Sequence, residues 1–411
     1  MSTSEILHVT PVMPVDEHHI EYALDSAGRR GHLVTSWVPS PLEYALLRMV
    51  PAFRKELRRD PVRLRVRQVV RQVSADFLHN FDMQTKQSGS DILAHDAFFE
   101  RVDLHARRFV HPLTSLVIGR EFGCRHTFER ARGLGVPRIY HLPTVHHDSL
   151  REILTREHAA CGDVCRSTFD LNEFQPERLA AKEKEIEMAD RIICPSAFVK
   201  MTLEAAGIPE GKVAVTPFGC ESTWLESPRH GDGRTILFVG NVSARKGAHR
   251  LLKVWKSLGA HRTHRLLLVG EMHLNPAFLR DFAGTYEHMP RVPREDLRDI
   301  YLGASAMVLP ALAEGFALVI LEALSCGTPV LASRNSGAGG FVKEAEEARL
   351  FAAQDDEALG RTLEWALSHP DELEAMGRVG REKARNWPWG SFESAVMNVT
   401  RSFFNPSPVS P

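Results

Sequence analysis

A chain of 411 residues is longer than the roughly 250–300 residues that one hydrophobic core usually organises, so two domains are expected. With 43% hydrophobic and 25% charged residues it is no disordered polymer, and its formal net charge of -1 gives no overall field toward nucleic acid, which is not expected as a partner. The opening MSTSEILHVTPV lacks the pattern of a signal peptide, and no apolar run approaches the roughly 20 residues of a membrane span, so a cytoplasmic protein is expected.

Short apolar runs alternate with amphipathic segments, the pattern of βα units around a parallel sheet. Ile6–Val12 reads as a strand, Glu17–Arg30 as a helix stopped at Gly31, and His32–Trp37 as the next strand. The segment 41–81 breaks the alternation and reads as a helical insertion. Between Arg48 and Arg71 it carries nine Lys or Arg against Glu56 and Asp60, with Met49, Val50, Phe53 and Leu57 interleaved. A basic amphipathic helix of this kind can lie on an anionic membrane surface; a solvated helix is the alternative. Further strands are expected at Asp91–His95, Arg138–Leu142, Asp190–Cys194 and Val213–Pro217, with a helix over Ser115–Arg132. Six scattered cysteines, none in a C-x-x-C pair, read as reduced thiols. His158, Cys161 and Cys165 are close in sequence, but zinc takes about four ligands and no fourth is evident, so no metal is expected.

The polar stretch 220–233 reads as a linker after a first domain of 1–219. The second domain, 234–385, opens with a strand at Thr235–Val239 and a helix near Ala248–Leu258. Strands at Arg265–Val269, Ala306–Leu309 and Pro329–Ala332 follow, with helices near Glu295–Leu302 and Phe316–Ser325. Residues 386–411 form a last helix and tail.

Two motifs in the second domain carry chemistry. In AEGFALVILEALSCGTPV, Glu314 precedes a helix and Glu322 lies about two turns in, which puts the carboxylates about 12 Å apart on roughly one side. The N–H groups of Gly315, Phe316 and Ala317 at the helix start can hold a phosphate. Glu314 can accept from sugar hydroxyls and Glu322 from vicinal ribose hydroxyls. In VGNVSARKG, Arg245 and Lys246 follow a strand and open a helix, beside the carboxyl ends of the strands where such sheets bind ligands. The plainer readings are a capping glutamate, a surface glutamate and a solvated basic pair.

These stretches, with ADRIICPS, VTPFG, RVPREDLRDIY and NWPWGSFE, resemble the retaining glycosyltransferases of family four, from about Asp190 to Ser336 and again near the C-terminus. The resemblance implies an α/β architecture, the GT-B fold: two Rossmann-like domains facing across a cleft, with a C-terminal helix crossing back to the first. It implies a retaining hexosyltransferase that uses a nucleoside diphosphate sugar as donor and needs no cofactor. Glu314 then contacts the transferred sugar, Glu322 the ribose, and Arg245 and Lys246 the diphosphate, with Arg291 near the nucleobase. A histidine after a first-domain strand approaches the sugar in several relatives, and among His141, His146 and His147 the strand end favours His146. The acceptor is a carbohydrate or a lipid-linked hydroxyl compound in polysaccharide or glycolipid assembly, with peripheral contact to an anionic membrane possible.

The sequence departs from the family twice. Asn241 stands where many relatives carry arginine beside the diphosphate, and PVMPVDEHHIEYAL has no glycine where relatives often open with a Gly-Gly loop. A noncatalytic nucleotide-sugar-binding protein on the same fold is therefore the alternative. A nicotinamide-dependent oxidoreductase would need G-x-G-x-x-G after the first strand, and none follows Val9.

Overall fold

The computed structural model describes residues 5–36, 41–49, 64–71, 90–162, 164–165 and 174–404. It holds two parallel sheets. The first contains β1 (Glu5–Val9), β2 (Arg30–Thr35), β3 (Arg67–Arg71), β4 (Thr114–Arg120), β5 (Arg138–His141) and β6 (Arg191–Cys194), in the order β3-β2-β1-β4-β5-β6. After the short β7 (Val213–Val215), the second sheet is built of β8 (Thr235–Val239), β9 (Arg265–Val269), β10 (Glu287–Met289), β11 (Ala306–Leu309), β12 (Val330–Ser333) and β13 (Arg349–Phe351). Its order is β10-β9-β8-β11-β12-β13. Strands covered on both faces need apolar side chains at successive positions. Leu116, Val117 and Ile118 in β4, and Met307, Val308 and Leu309 in β11, are all fully buried.

By contacts the chain divides into two compact units. The first comprises Met1–Leu142, Gln175–Ile193 and Glu393–Pro411, the second Pro143–Phe174 and Cys194–Phe392. The last helix, Trp389–Arg401, passes from the second unit into the first. Within the first unit Val396 and Thr400 are buried, and Glu393 meets His19 at 2.6 Å.

Three expected elements differ. Asp91–His95 is not a strand but part of the helix Ser90–Ala106. Its buried Phe98, Phe99, Val102 and Ala106 recur at helical spacing, whereas the short run DILAH alone looks extended. Ser115–Arg132 is not one helix; its first part is β4, and a helix runs only over Arg125–Gly133. A continuous apolar run does not distinguish a buried strand from a buried helix. Within 41–81 the described residues form a helix, Pro41–Arg48, and then the edge strand β3 paired with β2. Arg67, read as part of a solvated or membrane-facing basic face, is buried and bonded twice to Glu21, while Arg71 pairs with Glu43. The rest of the basic segment lies outside the described residues.

Glu21 belongs to a lattice of buried charge at the carboxyl end of the first sheet. His8 on β1 bonds Glu17 through Nε2 and Glu21 through Nδ1, each at 2.7 Å. Arg120 on β4 bonds Asp16 at 2.9 Å and Glu17 at 2.6 Å, and His141 on β5 bonds Glu17 at 2.7 Å. Burial works against the charge on His8, but Glu17 and Glu21 overcome it and raise the pKa from 6.5 to about 9. Its unfolded pKa is lower than its folded one, so its stabilisation is full below pH 6.5 and is lost as pH rises through about 9. The denaturation midpoint of the first unit should fall across that window; a flat profile there would mean that His8 is neutral in the fold.

Candidate donor site

The segment between β11 and the helix Leu318–Cys326 carries Glu314 and is fixed from several sides within the second unit. The Glu314 N–H donates to Asn335 O at 2.9 Å, and Asn335 Nδ2 donates to Leu312 O at 2.8 Å. The Ser196 hydroxyl, at the start of helix Ala197–Ala205, donates to Gly315 O at 2.6 Å. A Cβ at residue 315 would overlap the Pro143 carbonyl oxygen, so only glycine fits there. The Ala317 N–H donates to Ser336 O at 3.1 Å. Of the three N–H groups expected to cradle a phosphate, Ala317 is therefore already engaged. Among the described residues no acceptor faces the N–H of Gly315 or Phe316.

The basic pair meets this loop. Lys246 Nζ lies 2.9 Å from Glu314 Oε2, and Arg245 Nε lies 3.7 Å from Oε1 and donates to Ala313 O at 3.1 Å. The turn that aims them closes on Gly247, at φ +72°, whose Cα lies so near the Pro310 carbonyl that a side chain would collide with it. Burial raises the Glu314 pKa, but Lys246 and then Arg245 outweigh it, and the net shift is downward. Glu314 is thus an ionised acceptor with 13% of its side chain exposed, beside two cations that also reach solvent. Asn241 is exposed on the same β8-to-helix turn.

Glu322 has different surroundings. Its Oε2 accepts from the hydroxyl of the fully buried Tyr301 at 3.0 Å. Burial, with a smaller contribution from Glu221, raises its pKa against the opposing Arg294 and Tyr301. Each carboxylate oxygen has two lone pairs, so Glu322 retains acceptor capacity beside the Tyr301 bond. Arg291 is exposed, just before helix Arg294–Gly303.

His146 falls in the same unit as Glu314. It caps helix His147–Cys161, its Nδ1 accepting the Asp148 N–H at 3.3 Å, which leaves the proton of the neutral ring on Nε2. Val145, Leu150 and Leu154 share one buried cluster with Leu312 and Ala313, so the core itself holds the His146 helix start against the Glu314 loop. Further along that helix, Glu157 takes His249 and Arg250 at 2.6 Å each and Gln354 at 2.7 Å. Cys161 joins this cluster, and among the described residues Glu157, Cys161 and His249 lie close enough to hold a metal, as do His146, His147 and Asp148, whereas His158 and Cys165 join neither group.

The sequence reading missed Ser196, Asn335, Tyr301 and Glu157. Ser196 stands in the quoted CPS and Tyr301 in RVPREDLRDIY, but their partners lie 119 and 21 residues away, and nothing local marks such bonds.

Residues 223–383 match the family described as Glycosyl transferases group 1. The D-inositol 3-phosphate glycosyltransferase of Thermobispora bispora is 25% identical over 248 residues, covering 54% of this chain and 58% of that protein. This chain thus matches under two thirds of that relative's length. Sucrose-phosphate synthase from Thermosynechococcus elongatus superposes with a TM-score of 0.68 at 18% identity, over 98% of this chain and 100% of the other. Anabaena HepE in complex with UDP-glucose gives 0.59 at 14% identity, over 97% and 99%. The chain therefore has the GT-B fold, and its family match is confined to residues 223–383.

Removing one partner of a buried ion pair leaves the other charge uncompensated, at about 3–5 kcal/mol. Glu157→Ala should lower stability to denaturant by about that amount. A loss below about 1 kcal/mol, the scale of an exposed pair, would show that the cluster is solvated.

Proposed function

We propose that this chain is a retaining glycosyltransferase of family four, moving a hexose from a nucleoside diphosphate sugar to an acceptor hydroxyl. The observation that carries the reading is the meeting of Lys246 and Arg245 with Glu314 at the start of one helix. In this reading the two cations and the N–H groups of Gly315 and Phe316 hold the diphosphate. Glu314 accepts from the sugar hydroxyls, Glu322 from the ribose, and the His146 Nε2–H donates toward the sugar. Asn241 borders the diphosphate and Arg291 the base.

The reaction follows from charge. As the glycosidic bond breaks, negative charge grows on the leaving phosphate, and fixed cations stabilise that state more than the bound donor. The acceptor hydroxyl approaches on the face the diphosphate leaves, and a diphosphate oxygen helps to take its proton, so configuration is retained. No cofactor enters this scheme. The HepE complex with UDP-glucose and the inositol phosphate acceptor in the relative's name support a nucleotide hexose and a hydroxyl acceptor. A carbohydrate or lipid-linked acceptor in polysaccharide or glycolipid assembly of the cell envelope, cytoplasmic location and peripheral contact with anionic membrane complete the proposal. Among the described residues no helix is long and apolar enough to cross a membrane.

Lys246→Ala should lower turnover at least tenfold, about 1.4 kcal/mol of barrier, with a smaller loss of donor affinity. Asn241→Arg should partly restore it. A folded Lys246→Ala protein that turns over donor at the original rate would remove the basic pair from the reaction, whereas donor binding without turnover by the unmutated chain would favour the noncatalytic binding protein, for which the exposed Asn241 argues.

The glutamates should separate in kinetics. Glu322→Ala should chiefly raise the donor dissociation constant, through lost ribose contacts. Glu314→Ala should chiefly lower kcat, because the anomeric carbon is no longer positioned. Unchanged kinetics in both variants would remove the donor site from this loop.

A further inference from the structure

A second gathering of charge lies in the first unit. The helix Ser90–Ala106 passes into a single 3-10 turn, Arg107–Phe109. Beside that turn runs the helix Arg125–Gly133. Between them opens a cavity of about 400 Å³ lined by Arg107, Arg108, Val110, His126, Glu129 and Arg130.

The walls are fixed. Asp103 is 2% exposed, and its carboxylate accepts the N–H of His126 at 2.6 Å, the N–H of Thr127 at 2.9 Å and the Thr127 hydroxyl at 2.6 Å. One buried carboxylate on the first helix thereby caps the second and fixes the two backbones that carry the exposed Arg107, Arg108 and Arg130. The pairing around the cavity is uneven. Arg125 pairs with Glu100 at 3.0 Å and Arg132 with Glu187 at 3.8 Å. His126 lies 3.2 Å from Glu100 and 3.5 Å from Glu129. Among the described residues no carboxylate lies within ion-pair distance of Arg107, Arg108 or Arg130.

Two of these cations follow the carboxyl end of a helix, where its dipole favours positive charge. Arg130 likewise stands in the last turn of its own helix, so helix carboxyl ends bring all three cations to this cavity. Three exposed guanidinium groups gather about one cavity with Glu129 as the single acid, and an anion entering there would relieve their mutual repulsion. The guanidinium fork matches phosphate oxygens in pairs. Leu104, one turn before Arg107 and Arg108, is 37% exposed, and Leu113 in the next turn is 77% exposed.

We propose that this cavity binds a phosphate group through Arg107, Arg108 and Arg130. The group belongs to a free phosphate compound or to the headgroup of an anionic lipid, whose chains the two exposed leucines would meet. The lining shares no residue with the candidate donor site.

Phenylglyoxal modification of arginine, read by peptide mass spectrometry on the full chain, tests it. Inorganic phosphate, or vesicles containing phosphatidylglycerol, should protect Arg107, Arg108 and Arg130 at least threefold over chloride of equal ionic strength. Co-sedimentation then separates the sources. If Arg108→Ala/Arg130→Ala loses at least fivefold of the vesicle binding, the phosphate is a lipid headgroup. If inorganic phosphate protects while vesicle binding is absent or unchanged in the variant, the phosphate is free. The protection experiment uses the unmutated protein, so a folding defect in the variant cannot mask the answer. Absence of protection by both probes would overturn the site.

Discussion

A single buried carboxylate, Glu157, holds together the second unit's candidate machinery. Its two oxygens take His249, two nitrogens of Arg250 and Gln354. Burying a carboxylate is costly unless its lone pairs are filled, and here they are. The partners therefore have one low-energy arrangement. Glu157 sits in the third turn of the helix that His146 caps. His249 and Arg250 lie in the first turn of the helix that follows Arg245 and Lys246. The network thus couples the orientation of two helix starts, and each presents residues of the proposed site. His249 adjusts to the arrangement: burial, despite Glu157, lowers its pKa. A neutral ring donating from Nε2 leaves only a buried Nδ1 lone pair without a partner.

The first unit solves a related problem by other means. In the order β3-β2-β1-β4-β5-β6 the connections reverse between β1 and β4, which is where doubly wound sheets form a crevice. Family relatives often place a glycine loop after β1. Here Asp16 and Glu17 open the helix Val15–Ser26, and their carboxylates complement its positive end. Arg120 and His141, from the ends of β4 and β5, turn toward the same carboxylates. Side-chain charge is thus concentrated at that sheet end, where Asp16 and Glu17 face Arg120 and His141.

Periodicity made the second unit legible. β8, β9 and β11 match the expected strands residue for residue, because each is a short apolar run bounded by turn residues. The two motif segments also appear where spacing put them, with Glu314 before a helix and Glu322 in its second turn. The first unit was less legible. DILAH has too few residues to show a helical period, and the apolar run LVI within TSLVIGR is too short to show one either. Charge misled at Arg67, since composition counts a cation without showing whether it is solvated or bonded to Glu21. The clamps on the donor loop were invisible for another reason. Ser196 and Asn335 act on backbone groups distant in sequence, and a backbone acceptor has no residue type to read.

The contact between Glu314 and Lys246 has a consequence for how the site would work. On the proposed reading, a carboxylate that accepts from sugar hydroxyls and an ammonium that holds phosphate are engaged with each other at 2.9 Å before any donor enters. Each keeps the other charged: Lys246 contributes most to holding the Glu314 pKa down against burial. A donor entering there would exchange one ion pair for two sets of contacts, ammonium to phosphate and carboxylate to hydroxyl. The cost of separating the pair is modest because both groups remain partly solvated. The same arrangement explains how Asn241 can be tolerated. A third cation on that turn would enlarge the positive field at the phosphate, but it would also compete with Lys246 for Glu314. With asparagine there, Lys246 and Arg245 supply the side-chain cations, and the loop clamped by Ser196 and Asn335 fixes the carboxylate against which they are aligned.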